Sequence, residues 1–94
     1  MPRMAVEIRW TTHARFRRER RGFQVPILEH ILRTSTERYS DTVTGRRIVV
    51  GRHEGLLVVI AYETDGDTLV PVSVHATTRR DIQARLHRGR YIHG

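Results

Sequence analysis

The sequence predicts an α+β domain. Three observations lead there: an alternating stretch near the N-terminus, two helical segments separated by Gly22, and a series of strand-like segments from residue 37 that ends in one more helix. The expected architecture is an N-terminal strand, a helical hairpin, an antiparallel meander of three to four strands and a short C-terminal helix.

Residues 5–10 alternate, with Val6, Ile8 and Trp10 on one side and Glu7 and Arg9 on the other, which is the pattern of a half-buried strand. Thr11 or Thr12 supplies an N-cap for a first helix. Ala14 and Phe16 give that helix little apolar surface, and Gly22 can end it in the left-handed conformation. Pro26 suits the first turn of a second helix, over about residues 26–34. Ile27, Leu28, Ile31 and Leu32 repeat there at helical spacing, so the second helix supplies most of the buried surface of the pair.

From residue 37 the period changes to that of strands. Tyr39 to Thr44 reads as a polar edge strand, and Thr44-Gly45 as a turn. Arg47 to Arg52 returns through Ile48-Val49-Val50, and His53-Glu54-Gly55 turns again. Residues 56–62, Leu-Leu-Val-Val-Ile-Ala-Tyr, are the most apolar and belong in the centre of a sheet. Asp65-Gly66-Asp67 leads into a last strand, Leu69 to His75. Pro71 lacks an N–H, so that strand needs a bulge or an unpaired position. Thr78-x-x-Asp81 is an N-capping pattern for a closing helix over about residues 78–88. Only Ile82 and Leu86 form its apolar stripe, so it lies across a surface. Tyr91 and Ile92 add a little packing.

Ninety-four residues make one domain, spanning 1–94. No stretch approaches the roughly 20 apolar residues of a membrane span, and no signal-peptide pattern opens the chain. There is no cysteine, which excludes disulfides, thiol catalysis and Cys-based zinc sites. A cytoplasmic location without membrane contact is expected. The net charge is +7, and all 17 basic residues are arginines. GC-rich coding bias accounts for the missing lysine but less readily for the charge excess. Arginine binds phosphate through two parallel N–H groups and stacks on bases. The expected partner is a polyanion, RNA first, either free or on the ribosome.

Two segments resemble small toxins of the RelE superfamily. His13-Ala14-Arg15-Phe16-Arg17 followed by Arg20-Arg21-Gly22 resembles the His-Ala-x-x-Arg…Arg-Gly opening of a RelE-like family. Gly45 to Arg52, Leu57 to Tyr62 and Ala76-Thr77-Thr78-Arg79-Arg80 are similar to BrnT-type toxins, which begin their last helix with an Ala-x-x-Thr-Arg-like segment. Where those toxins carry Lys-His-Gly after the first helix, this chain has Arg20-Arg21-Gly22. Where they have a small residue at the end of the last strand, it has His75. The resemblance implies a toxin of a type II toxin–antitoxin pair. It would be an endoribonuclease that needs no metal or other cofactor, with an antitoxin covering its active face.

Metal-free RNA cleavage needs a base for the 2′-hydroxyl, an acid for the leaving 5′-oxygen, and cations for the phosphorane charge. His13 is a candidate base, with Arg17 one helical turn away to hold phosphate. The plainer reading of His13 is a helix-start histidine bonded to the preceding turn. His75 is the second candidate, at a strand end just before a helix start; its plainer reading is packing under that helix. Thr77, Thr78, Arg79 and Arg80 can add donors for an anion there. Arg52 ends a strand and is a third catalytic candidate, as a phosphate contact. Tyr62 can position RNA, although a tyrosine ending a buried strand is more often core. Arg85 stands one turn from Arg88, either tracking phosphates or lying on a solvated helix face. His30, His53, His87 and His93 fit catalysis less well, and no His-x-x-x-His pair or His–carboxylate cluster suggests a metal site. The alternative function is a non-catalytic basic module that binds nucleic acid or an acidic protein.

Overall fold

The computed structural model describes residues 6–94. Its element order is β1 (Glu7–Ile8), α1 (Thr12–Arg20), α2 (Val25–Thr34), β2 (Arg38–Asp41), β3 (Arg47–His53), β4 (Leu56–Asp65), β5 (Thr68–Ala76), α3 (Arg79–His87) and β6 (Tyr91–His93). The α+β class stands, but the sheet is larger than the meander expected from sequence. Six strands run in the order β1-β5-β4-β3-β2-β6. The central pairs are antiparallel, and β1 adds in parallel to β5 through Glu7↔Thr68 and Ile8↔Leu69. The strand expected over residues 5–10 begins outside the described residues at Ala5. Within them it narrows to a two-residue pairing.

Two further corrections concern one strand, β2. The strand expected over 39–44 stops at Asp41, because the Asp41 carboxylate accepts hydrogen bonds from the Val43 and Thr44 N–H groups and bends the chain into a turn. That strand is also not at the edge. Tyr91–His93 pairs with its outer side in the register Tyr39↔His93, Ser40↔Ile92 and Asp41↔Tyr91. Strands of two or three residues are too short to show alternation, so their existence depends on a partner distant in sequence.

The expectation for Pro71 is met by a bulge. Tyr62 faces Pro71 while Ala61 faces Ser73, which leaves Val72 as the extra residue. The helices follow the caps read from sequence. The Thr11 hydroxyl accepts from Ala14 N–H at 3.1 Å, and the Thr78 hydroxyl accepts from Asp81 N–H at 3.1 Å.

The sheet separates two apolar clusters. On one face Leu28, Ile31 and Leu32 of α2 meet Val49, Val58, Ile60, Tyr62 and Val74. Burial of each Leu or Ile there contributes roughly 1.5–3 kcal/mol. The approach is close at Gly51, where a Cβ would stand 2.7 Å from two Ile31 side-chain carbons. On the other face Ile82, with Leu86 beside it, seats α3 on Ile48, Val50, Leu57, Val59, Tyr39 and Tyr91.

Helices α1 and α2 are consecutive but seat differently, α1 along β5 and α2 over β3. Only Ala14 and Arg18 of α1 are buried. The Arg18 guanidinium lies 4.6 Å from the centre of the Trp10 ring, whose Nε1–H donates to Glu29 at 3.0 Å. The helix closes over the open edge of β5 by side-chain bonds to its carbonyls. The Thr11 hydroxyl donates to the Pro71 carbonyl at 3.4 Å, and Arg21 Nη1 donates to the Val74 carbonyl at 3.0 Å.

Candidate nucleic-acid interface

Strand register decides which side chains share a face. His75 is opposite Val59 and Arg52 is opposite Leu57, so both belong to the face that carries α3. On this face a shallow groove of 260 Å³ runs beside α3. His75, Thr77, Arg85, Arg46 and Ser73 are among its lining residues. That volume is below the usual range of enclosed small-molecule pockets. An open groove of this kind suits a chain lying across it.

The second surface is the outer side of α1. His13, Phe16, Arg17, Arg20 and Arg21 line one concave patch. Their spacing is i, i+3, i+4, i+7, i+8, the stripe that normally faces a core. Here it faces solvent, because the buried side of this helix is only Ala14 and Arg18.

His75 joins the two surfaces. Arg21 Nη1 lies 2.9 Å from His75 Nδ1, while also reaching the Val74 carbonyl. A guanidinium only donates, so His75 Nδ1 is the acceptor and the neutral ring carries its proton on Nε2. Partial burial lowers the His75 pKa from its ordinary value, and the Arg21, Arg17 and Arg85 charges lower it further. The ring is thus held neutral within three arginines drawn from both surfaces. No carboxylate pairs with Arg17, Arg20, Arg21 or Arg85 among the described residues; the ion pairs found involve Arg9, Arg18, Arg33, Arg79 and Arg90.

The residues singled out from sequence divide accordingly. His13, Arg17, His75, Thr77 and Arg85 lie along the two surfaces that the Arg21–His75 contact joins, a basic band whose groove side also carries Asp41 and Asp81. Thr78 is engaged as the α3 cap. Arg79 donates to Glu37 at 2.6 Å, and Glu37 also accepts from the Tyr39 hydroxyl, so its charge is largely compensated. That arginine holds the Glu37 carboxyl below its ordinary pKa, against the opposing effect of burial. Arg80 is exposed on the first turn of α3 and is not among the groove-lining residues.

Two residues are misplaced relative to expectation. Arg52 shares the sheet face with His75, but strand spacings put their Cα atoms about 12 Å apart. Arg52 is not among the residues that line the groove beside His75. Arg52 instead donates to the Gly55 carbonyl of its own turn. Tyr62 is on the opposite face, 3% exposed in the core, where its hydroxyl accepts from Arg38 at 2.9 Å. The alternation of β4, which puts Val58, Ile60 and Tyr62 on one side, places it there.

Sequence reasoning missed Arg21, taken only as part of a helix-ending Arg-Arg-Gly, although its i+4 relation to Arg17 was legible. It also missed His53, which is buried. His53 Nε2 accepts from the Gln24 N–H at 2.9 Å, and its ring meets Phe23 edge-on at 5.2 Å. His53 therefore caps the start of α2.

No protein-family model, curated protein or solved structure matches the chain. Among the described residues no helix is long and apolar enough to cross a membrane, and no three His, Asp or Glu side chains group to hold a metal ion.

Proposed function

We propose that the chain is a RelE-like endoribonuclease toxin that cleaves RNA without a metal, by attack of the 2′-hydroxyl on the adjacent phosphate. The observation that carries the reading is His75, held neutral and set among Arg17, Arg21 and Arg85. A phosphate entering this band draws Arg21 away from His75 and onto its own oxygens. His75 Nδ1 is then free to take the proton of the 2′-hydroxyl as the new bond to phosphorus forms. Arg17 and Arg21 hold the charge that develops on the phosphorane. His13 delivers a proton to the departing 5′-oxygen as the old bond breaks, leaving a cyclic phosphate and a 5′-hydroxyl. A cognate antitoxin covers the same face and competes with RNA for the arginines.

The test is incubation of pure protein with RNA in EDTA, with and without ribosomes. Cleavage to those products, lost in His75→Ala and His13→Ala, is expected. Intact RNA in every condition removes the enzyme reading.

A second reading rests on the same contact. While Arg21 occupies Nδ1, His75 is a neutral N–H donor, which suffices for a module that only binds phosphate. Binding would then weaken linearly with the logarithm of salt concentration, and both histidine variants would leave it nearly unchanged.

A further inference from the structure

The ring of Phe16 is 57% exposed, and it stands within the stripe His13, Phe16, Arg17, Arg20 and Arg21. The Arg20 guanidinium lies 5.8 Å from the ring centre on one side. His13 precedes Phe16 by three residues and Arg20 follows it by four, so both are its neighbours on the helix surface. A single exposed apolar residue is ordinary. An aromatic ring presented among four arginine or histidine side chains, none of them paired to a carboxylate among the described residues, is a more specific surface.

From this we infer that Phe16 is a stacking platform for one unpaired nucleobase of a single-stranded RNA, whose neighbouring phosphates lie on Arg17, Arg20 and Arg21. The inference rests on the RNA-binding part of the proposed function and names the substrate class of that site. Every base offers a flat face, so an aromatic ring adds affinity without reading sequence. In a duplex those faces are covered by neighbouring base pairs, so the ring selects single strands. One turn of α1, about 6 Å, separates Phe16 from Arg20. Arg21, at the C-terminal end of the same stripe, reaches His75. A strand that stacks one base on Phe16 and continues along these arginines leads its following phosphates toward the Arg21–His75 contact, where cleavage is proposed. A protein partner, the other class of occupant for an exposed ring, would not need the cations.

The experiment reads binding alone, using single-stranded oligonucleotides with 2′-O-methyl riboses, which lack the attacking hydroxyl. It therefore succeeds or fails independently of cleavage. Phe16→Ala should weaken their binding by roughly 5- to 150-fold, the range for loss of one base–aromatic stack. Phe16→Trp should restore it, and the new indole should be quenched on binding. Phe16→Leu, apolar but not aromatic, should behave like alanine. Inorganic polyphosphate and an oligonucleotide of abasic sites should bind all four proteins alike, and duplex RNA should show no dependence on Phe16. Circular dichroism melts establish that each variant folds, as expected for an exposed position. Equal losses for RNA and polyphosphate overturn the inference, since the ring would then only order the arginines. Unchanged RNA affinity in Phe16→Ala also overturns it and leaves the ring to a protein contact.

Discussion

Acid stability should be governed by one buried carboxylate, Asp41. Its side chain is only 6% exposed, at the end of β2. Burial alone would raise its pKa. Both oxygens meet the Arg90 guanidinium, at 2.9 and 3.0 Å, and Oδ1 also accepts the Val43 and Thr44 N–H groups. These bonds win over desolvation and bring the pKa from 3.8 down to about 2. A difference of nearly two units, at about 1.4 kcal/mol each, makes ionised Asp41 worth about 2 kcal/mol of folding stability. Because the folded-state pKa is depressed, that stability is fully present above pH 4. It is lost as pH falls from about 4 to 2, where the folded state must also take up the proton. Asp41→Asn should therefore be less stable by about 2 kcal/mol at pH 7, roughly 10 °C in melting temperature for a domain of this size. Urea titrations of both proteins between pH 2 and 7 measure the gap, which should narrow toward acid and nearly close at pH 2. A gap that stays constant over that range would show that the loss is steric and that the carboxylate charge contributes nothing.

Three other outcomes follow from contacts described above. Gly51→Ala should destabilise by about 1–3 kcal/mol in urea unfolding, because the added methyl meets the Ile31 side chain in a packed core; no loss would mean that α2 shifts freely. His53→Ala should cost about 1–3 kcal/mol by leaving the Gln24 N–H without its acceptor. Amide exchange should then quicken first at the start of α2; uniform quickening would count against a local cap. Arg21→Ala should raise the His75 pKa toward its ordinary value in an NMR titration, because one of the cations that disfavour its protonated form is gone. An unmoved titration would mean that burial, Arg17 and Arg85 set it without Arg21.

Much of the fold was legible because its signals are local. Ile27, Leu28, Ile31 and Leu32 mark α2 by a period that any amphipathic helix must show. The run from Leu57 to Ile60 marks a strand covered on both faces, and the structure buries all four residues. Pro71 announced a bulge because a missing N–H cannot be hidden in a ladder. Thr11 and Thr78 announced helix starts because a hydroxyl satisfies N–H groups only two or three residues away. Other features gave no local signal. Tyr91–His93 has no alternation to read at three residues, and its pairing with β2 is a contact made across the chain. Arg52 and Tyr62 looked like site residues because each ended an expected strand, where a side chain can reach substrate. Strand parity then turned Tyr62 into the core, and Arg52 donates to the Gly55 carbonyl of its own turn.

What the sequence by itself determined is the chemistry present: an arginine-only excess of positive charge, six histidines, no thiols, and helices and strands whose periods follow from backbone geometry. What only the tertiary structure decided is which of those groups meet. Arg21 and His75 are 54 residues apart in sequence and 2.9 Å apart in space. The closure of α1 over the β5 edge joins them, through bonds to carbonyls that no β-strand partner claims there. Charge and periodicity are properties of residue order. Juxtaposition arises only when the chain buries its apolar faces and satisfies its open edges.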